Sequence, residues 1–452
     1  MYDPRHAPLV PFAPLREVFL RDGDTPSALL ERCIRTVEAR EPDVRAFVTL
    51  DQEGARAAAA ASDARYRAGA PLSPIDGMPF GVKDIIDTGD MPTQMNSGLY
   101  AGHRPFRDAA GVQAMRAGGA VILGKTVTTE FACGESGPTR NPFDLERTPG
   151  GSSSGSGAGV GAGMMCAAFG TQTRASIVRP AAYNGAYGYK PTVGALNLGG
   201  VHPVSPTLDH LGSIAASLAD CWLVARHVAA AVGADHHCRP LAGPAELPPP
   251  AVPNRVAFIR TNGWAETPAE SQAAFEGFLD FLRNIGVTVS DASADGDLAA
   301  FETALRPVDA WSRELMAYEM RWPMRGYRDR GGNALGPTIQ ALLQLSDGMS
   351  EADYGTLLDR RNTLIAQHAA LAMRYDLIVT LCSDGPAPKG LAFTGNRSFI
   401  TPWSVLGAPA LALPMLAAED MPLGVQMIGY RGADAAMMGY ARWIDEGWFG
   451  KV

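Results

Sequence analysis

The sequence has no basic run, no C-x-x-C pair, no internal repeat of fixed period and no uninterrupted apolar stretch of membrane-spanning length. Each absence closes a class of function. With 39 Lys and Arg against 47 Asp and Glu, net charge −8, no face is rich enough in cations to recommend nucleic acid as a partner. The six cysteines (Cys33, Cys133, Cys166, Cys221, Cys238, Cys382) are scattered without framework spacing, so they read as reduced, mostly buried thiols of a cytoplasmic protein. His236-His237-Cys238 lacks a second ligand pair, and no metal site is expected. Residues 1–20 carry neither an apolar core nor a signal-peptide cleavage pattern. No segment reaches the ~18 to 20 apolar residues of a membrane helix, so no membrane association is expected.

What is present describes a large globular enzyme. The 452 residues are 46% apolar and 19% charged, which excludes a disordered chain. Fifty glycines and abundant alanine point to close helix–strand packing. Thr25-Pro26 opens a helix with Leu29, Leu30, Cys33, Ile34 and Val37 on one face, and a second helix is expected over 51–68. Residues 77–83 read as a short buried strand, Asp108 as the cap of a helix, and 120–124 as the next strand. Prolines 240, 244, 248, 249, 250 and 253 make 239–253 a surface connection. Beyond it, strands are expected at 255–259, 287–290, 376–380, 410–414 and 424–428, and Thr267-Pro268-Ala269-Glu270 reads as a capping box. Residues 297–372 look mainly helical and form a candidate lid with the aromatic residues Trp311, Tyr318, Trp322 and Tyr327. The expected architecture is α/β, one domain over 1–452, with a mixed central sheet covered by helices on both faces.

Two segments carry chemistry. Lys83, in Gly81-Val82-Lys83-Asp84, has apolar flanks (Pro79, Phe80, Val82, Ile85, Ile86), a setting that disfavours charge and lowers an amine pKa. The run from Gly150 to Gly163 holds four serines, Ser152, Ser153, Ser154 and Ser156, and passes into Met164 to Phe169, an apolar pattern read as buried helix. A linker would stay polar, and a phosphate loop would need a lysine after its last glycine. A tight turn at a helix N-terminus remains, with hydroxyls directed into a site. Ser176 follows Thr173-Arg174-Ala175, whose successive N–H groups suit an oxyanion hole. A neutral lysine with positioned serines is what acyl transfer requires when no histidine serves as base.

These residues lie in longer matching stretches. Gly81 to Asp87, Gly124-Lys125-Thr126 with Glu130-Phe131-Ala132, Thr148 to Ser153, Gly170 to Thr173 with Ser176-Ile177, Gly188 to Thr192, Ser205 to Gly212, Pro402-Trp403-Ser404 and Pro422 to Gln426 resemble the amidase signature family over about 28–429. The resemblance implies a Ser–Ser–Lys triad of Ser176 as nucleophile, Ser152 as bridging serine beside a cis peptide bond, and neutral Lys83 as proton acceptor. It also implies an oxyanion hole from the N–H groups of Thr173, Arg174, Ala175 and Ser176, with no cofactor. The family commonly has Gly-Gly where this chain has Arg174-Ala175, often Asp at Gln172, and glycine at Ser154. A Cβ at 174 and 175 is expected to narrow the site or demand relaxed dihedrals.

Arg179 and Arg174 are candidates for an anionic substrate group, and Met95, Gly134, Glu135 and Trp311 for the substrate wall. Trp311 with Tyr318 and Trp322 would form an aromatic wall suited to an aryl or hydrophobic amide, whereas the arginines would suit a small dicarboxylic monoamide. The expected activity is hydrolysis of a C–N bond in a small-molecule amide or related acyl compound, by a protein able to form a homodimer. Two other readings remain open: an amidase-like subunit of a glutamine-dependent amidotransferase complex, and a non-catalytic amidase-like binding scaffold.

Overall fold

The computed structural model of the protein describes residues 2–235, 237–331 and 334–450, so His236 lies outside the described residues. Eleven strands form one sheet: β1 (Phe47–Leu50), β2 (Pro79–Lys83), β3 (Val121–Thr126), β4 (Ala167–Gln172), β5 (Tyr187–Lys190), β6 (His210–Ala215), β7 (Arg255–Phe258), β8 (Thr288–Ser290), β9 (Leu377–Leu381), β10 (Ala410–Ala418) and β11 (Met421–Ile428). Their order is β1-β3-β2-β4-β6-β5-β10-β11-β9-β7-β8. β2 runs parallel to β3 and β4, and β7 parallel to β8 and β9, while β4, β5, β6, β10 and β11 join through antiparallel pairs. Strands on both sides of 239–253 thus belong to one mixed sheet, and that segment itself holds no helix or strand. Among the described residues, no helix is long and apolar enough to cross a membrane.

Local chemistry explains the first elements. Thr25 Oγ1 accepts from the Ala28 N–H, Pro26 occupies the first turn, and Leu29, Leu30, Cys33, Ile34 and Val37 are buried in the helix Pro26–Val44. The second helix runs Gln52–Arg67, capped by Asp51. β2 and β4 are wholly buried, and Phe80 meets Phe169 edge-to-face across them, ring centroids 4.8 Å apart.

Four local expectations are corrected. The apolar run after Gly163 is not helix: the helix Ser154–Gly161 is closed by Gly163, whose φ is +73°, and Ala167 begins β4. A short run buried on both faces looks the same in either state, and the left-handed glycine decides. The helix Ala110–Ala117 is preceded by Ala109, with no side-chain cap; Asp108 instead accepts from the Gly89 N–H and pairs with Arg116. Thr267 caps nothing, because its hydroxyl donates to Gly263 O while Glu270 accepts from the Glu419 N–H. The aromatic residues of 297–372 form no common wall. Trp311 is buried, Trp322 is 77% exposed, Tyr318 stacks on Tyr354, and Tyr327 packs with Tyr100, Phe131 and His202.

The helix Ser154–Gly161 approaches its neighbours backbone to backbone. A Cβ on Gly155 would sit 2.1 Å from Ala46 O and 2.4 Å from Val127 N, neither of which can swing aside. Gly155→Ala is therefore expected to destabilise the protein by about 1–3 kcal/mol or more, measured by denaturant unfolding. Gly277→Ala, on an exposed helix face with nothing within 4 Å, serves as the control.

Candidate active site

Lys83 is the last residue of β2, and Val82 is in register with Phe169 of parallel β4. Adjacent parallel strands end on the same side of a sheet, so Lys83 emerges beside Thr171 at the strand carboxyl ends, where open α/β sheets place their sites. The Lys83 amine is buried, 2.7 Å from Ser152 Oγ and 2.7 Å from Thr171 Oγ1. Among the described residues, no carboxylate pairs with it. Burial therefore holds its pKa well below the ordinary lysine value, opposed only by the more distant charge of Asp209 and by the Cys133 thiol.

Lys125 shows the contrast. It is equally buried, but it lies 3.4 Å from the Asp84 carboxylate and donates to Ile86 O and Thr93 Oγ1. Asp84 in turn accepts from the N–H groups of Gln94 and Met95, so this pair ties down the loop behind Lys83. Burial lifts the Asp84 carboxyl to about 6.

The serines divide their work. Ser153 bridges to Thr171, Ser154 donates to Val127 O, and Ser156 bonds Thr126 Oγ1 and Phe169 O. Ser152, which follows a cis Gly151–Ser152 peptide bond, is the one that meets Lys83. Ser152 and Ser176 line the same small cavity, of about 70 Å3, together with Thr173, Arg174 and Ala175.

The loop 173–176 is held from three directions. Gln172 Oε1 accepts from the N–H groups of Ile177 and Val178, and its Nε2 donates to Ser404 Oγ. Ser404 then donates to Arg174 O. An amide at 172 suits this chain of bonds because it accepts and donates at once, which a carboxylate does not. Thr173 donates to Asp209, whose other oxygen accepts from the N–H groups of Val204 and Ser205, and burial lifts that carboxyl to about 6. Among the described residues, no group accepts from the N–H of Thr173, Arg174, Ala175 or Ser176. Of the two consequences expected of a Cβ at 174 and 175, a left-handed backbone is absent, since neither residue has positive φ, and both residues border the cavity.

The substrate-side expectations divide. Gly134 lines the cavity with Cys133, Ala132 and Thr129, whereas Met95, Glu135 and Trp311 do not. Met95 is a buried peg bonded to Asp84, Glu135 caps the helix Pro337–Asp347 through Thr338, and Trp311 points into the core while Met316 of the same helix reaches the cavity. Ala132 and Phe131 both have positive φ, a turn held from behind by Phe131 stacking on Tyr327 at 5.0 Å.

Arg174 and Arg179 both line the cavity, and both already have partners. Arg174 pairs with Asp309. Arg179 donates to Gly395 O, Gly151 O and Thr394 Oγ1, bracing the cis peptide against the 394–395 loop. Thr171, Met316, Thr394 and Arg397 were not singled out from the sequence. Thr171 stood inside a matching stretch, but nothing near Arg397 in the sequence marks it. Among the described residues, no three His, Cys, Asp or Glu side chains group as a metal site.

Comparison with known proteins bears on the family and the fold. A family model described as Amidase matches residues 28–438. The chain is 33% identical over 448 residues to a glutamyl-tRNA(Gln) amidotransferase subunit from Roseiflexus castenholzii, covering 92% of this chain and 91% of that one. A crystallised amidase superposes with a TM-score of 0.83 at 26% identity, covering 96% of this chain and 99% of that one. The peptide amidase of Stenotrophomonas maltophilia superposes with a TM-score of 0.78 at 25% identity, covering 96% of each. With the match spanning nearly the whole chain, from the first long helix to the last, this protein belongs to the amidase signature family.

Proposed function

We propose that the protein is an amidohydrolase of linear amides and related acyl compounds (hydrazides, carbamates and esters among them), working through an acyl-enzyme on Ser176. The observation that carries this reading is the Lys83 amine, buried without a carboxylate partner, 2.7 Å from Ser152 Oγ in a cavity shared with Ser176. Ser176 Oγ attacks the carbonyl carbon and passes its proton to Ser152, whose own proton goes to the Lys83 amine. The oxyanion takes hydrogen bonds from the free N–H groups of 173–176. As the C–N bond breaks, the Lys83 ammonium returns a proton through Ser152 to the leaving nitrogen. Water entering by the same relay cleaves the ester and restores the free serine. The helices of 297–372 act as a lid through Met316.

An activated fluorophosphonate should label one residue, Ser176, as read by peptide mass spectrometry, and Ser176→Ala should abolish both labelling and turnover of an amide panel. Labelling elsewhere, or none with an intact fold, rejects the reading and supports a binding scaffold. The identity to amidotransferase subunits supports a second reading, ammonia delivery from glutamine inside a complex. Glutaminase activity that appears only with co-purified subunits would favour it.

A further inference from the structure

Three guanidinium groups line the cavity around Ser176, and they are not equivalent. That of Arg174 donates from one terminal NH2 to both the carboxylate and the carbonyl of Asp309, while its Nε, like that of Arg179, is buried without an acceptor among the described residues. The guanidinium of Arg179 is spread over three backbone carbonyls, of Gly395, Asn396 and Gly151, and the Thr394 hydroxyl. Burial pulls their pKa values down to about 9 and about 10, and the charge of Arg397 adds to the effect on each. Arg397 differs. Its side chain is 44% exposed and its Nε lies 3.8 Å from Asp309, while among the described residues its terminal NH2 groups have no acceptor. Asp309 is the one carboxylate among the described residues in ion-pair contact with this set, and Asp384 acts on Arg179 from farther away, so cations still outnumber the carboxylates near them.

An excess of positive charge beside a small cavity favours an anionic ligand, and a guanidinium fork matches a carboxylate in two parallel hydrogen bonds. The geometry points to Arg397 as the group that binds a carboxylate on the substrate, which makes the preferred substrate a small amide with an anionic far end. This inference rests on the amidohydrolase reading above. An ammonium on the same molecule would meet three guanidinium groups, and the Asp309 carboxylate beside them is already occupied. A carboxylated amide without an amino group is therefore preferred over glutamine.

The test compares glutaramate, pentanamide, which lacks its charge, and glutamine, which adds an ammonium. Turnover is measured with the wild-type protein and binding with Ser176→Ala by calorimetry. Glutaramate should exceed both others at least about tenfold in kcat/KM and in affinity, and Arg397→Leu should lower the glutaramate-to-pentanamide ratio by about tenfold to a hundredfold. Arg397→Lys should recover part of that ratio. Equal binding of the three compounds, or a parallel fall for glutaramate and pentanamide in Arg397→Leu, overturns the assignment. Undiminished turnover by Ser176→Ala overturns the nucleophile instead, and the binding comparison still judges Arg397 independently.

Discussion

Replacing Lys83 with alanine is expected to lower kcat/KM on any amide substrate by about 10^4- to 10^6-fold, and Ser176→Ala by a similar factor. The two changes should not add. A nucleophile and its base act as one unit, so the double variant should be no slower than either single one. Ser152→Ala, which breaks the relay but leaves both ends in place, is expected to cost about 10^2- to 10^4-fold. These losses concern chemistry rather than folding, since Ser176 and Ser152 border a cavity and their truncation leaves the surrounding glycine packing untouched. Far-ultraviolet circular dichroism and thermal unfolding should confirm intact protein in each case. Purified Lys83→Ala retaining most of its activity would remove the amine from the mechanism.

The second large effect is on pH. Only the neutral amine can take a proton, so kcat/KM should fall about tenfold per pH unit as pH drops below the folded pKa of Lys83, and level off above it. That pKa lies well below 10.5 because of burial, so the plateau should begin well short of the range where a free lysine loses its proton. The same shift acts on stability. The unfolded lysine holds its proton up to about 10.5, whereas the folded one releases it earlier. Between the two values the unfolded state binds more protons, so the wild-type protein gains stability as pH rises, by up to about 1.4 kcal/mol per pH unit. Lys83→Met lacks this dependence. The difference in unfolding free energy between wild type and Lys83→Met should therefore move in favour of wild type with rising pH. A difference constant across that window would mean that Lys83 is charged in the fold.

Much of the candidate site was readable from residue order. Lys83, Ser152 and Ser176 sit in stretches where glycine and small residues are required by close backbone contact, as at Gly155, or where apolar flanks dictate burial, as around Lys83. Such constraints act over a few residues and leave a local pattern. The helix Pro26–Val44 was legible for the same reason, through its cap and its apolar spacing. The run 164–169 was not, because a segment buried on both faces shows no period, and its strand state depends on pairing with β2 and β6.

The substrate side was the least legible part. Arg174 and Arg179 drew attention as neighbours of Ser176 in the chain, yet their guanidinium groups are taken up by Asp309 and by the 394–395 loop. Arg397, more than two hundred residues from Ser176, faces the same cavity. Glu135, close to the cavity in sequence, turns away to cap a helix.

Residue order alone was enough to specify the serine-rich turn, the buried amine and the family, because each rests on short-range steric and solvation demands that only certain residues meet. Which cations stay available to a ligand, which side chains form the wall, and how the Gln172–Ser404 chain braces the loop 173–176 depended on long-range packing. A hydrogen-bonding group near the site in sequence can be satisfied by any partner the fold brings to it, and that choice leaves no local trace.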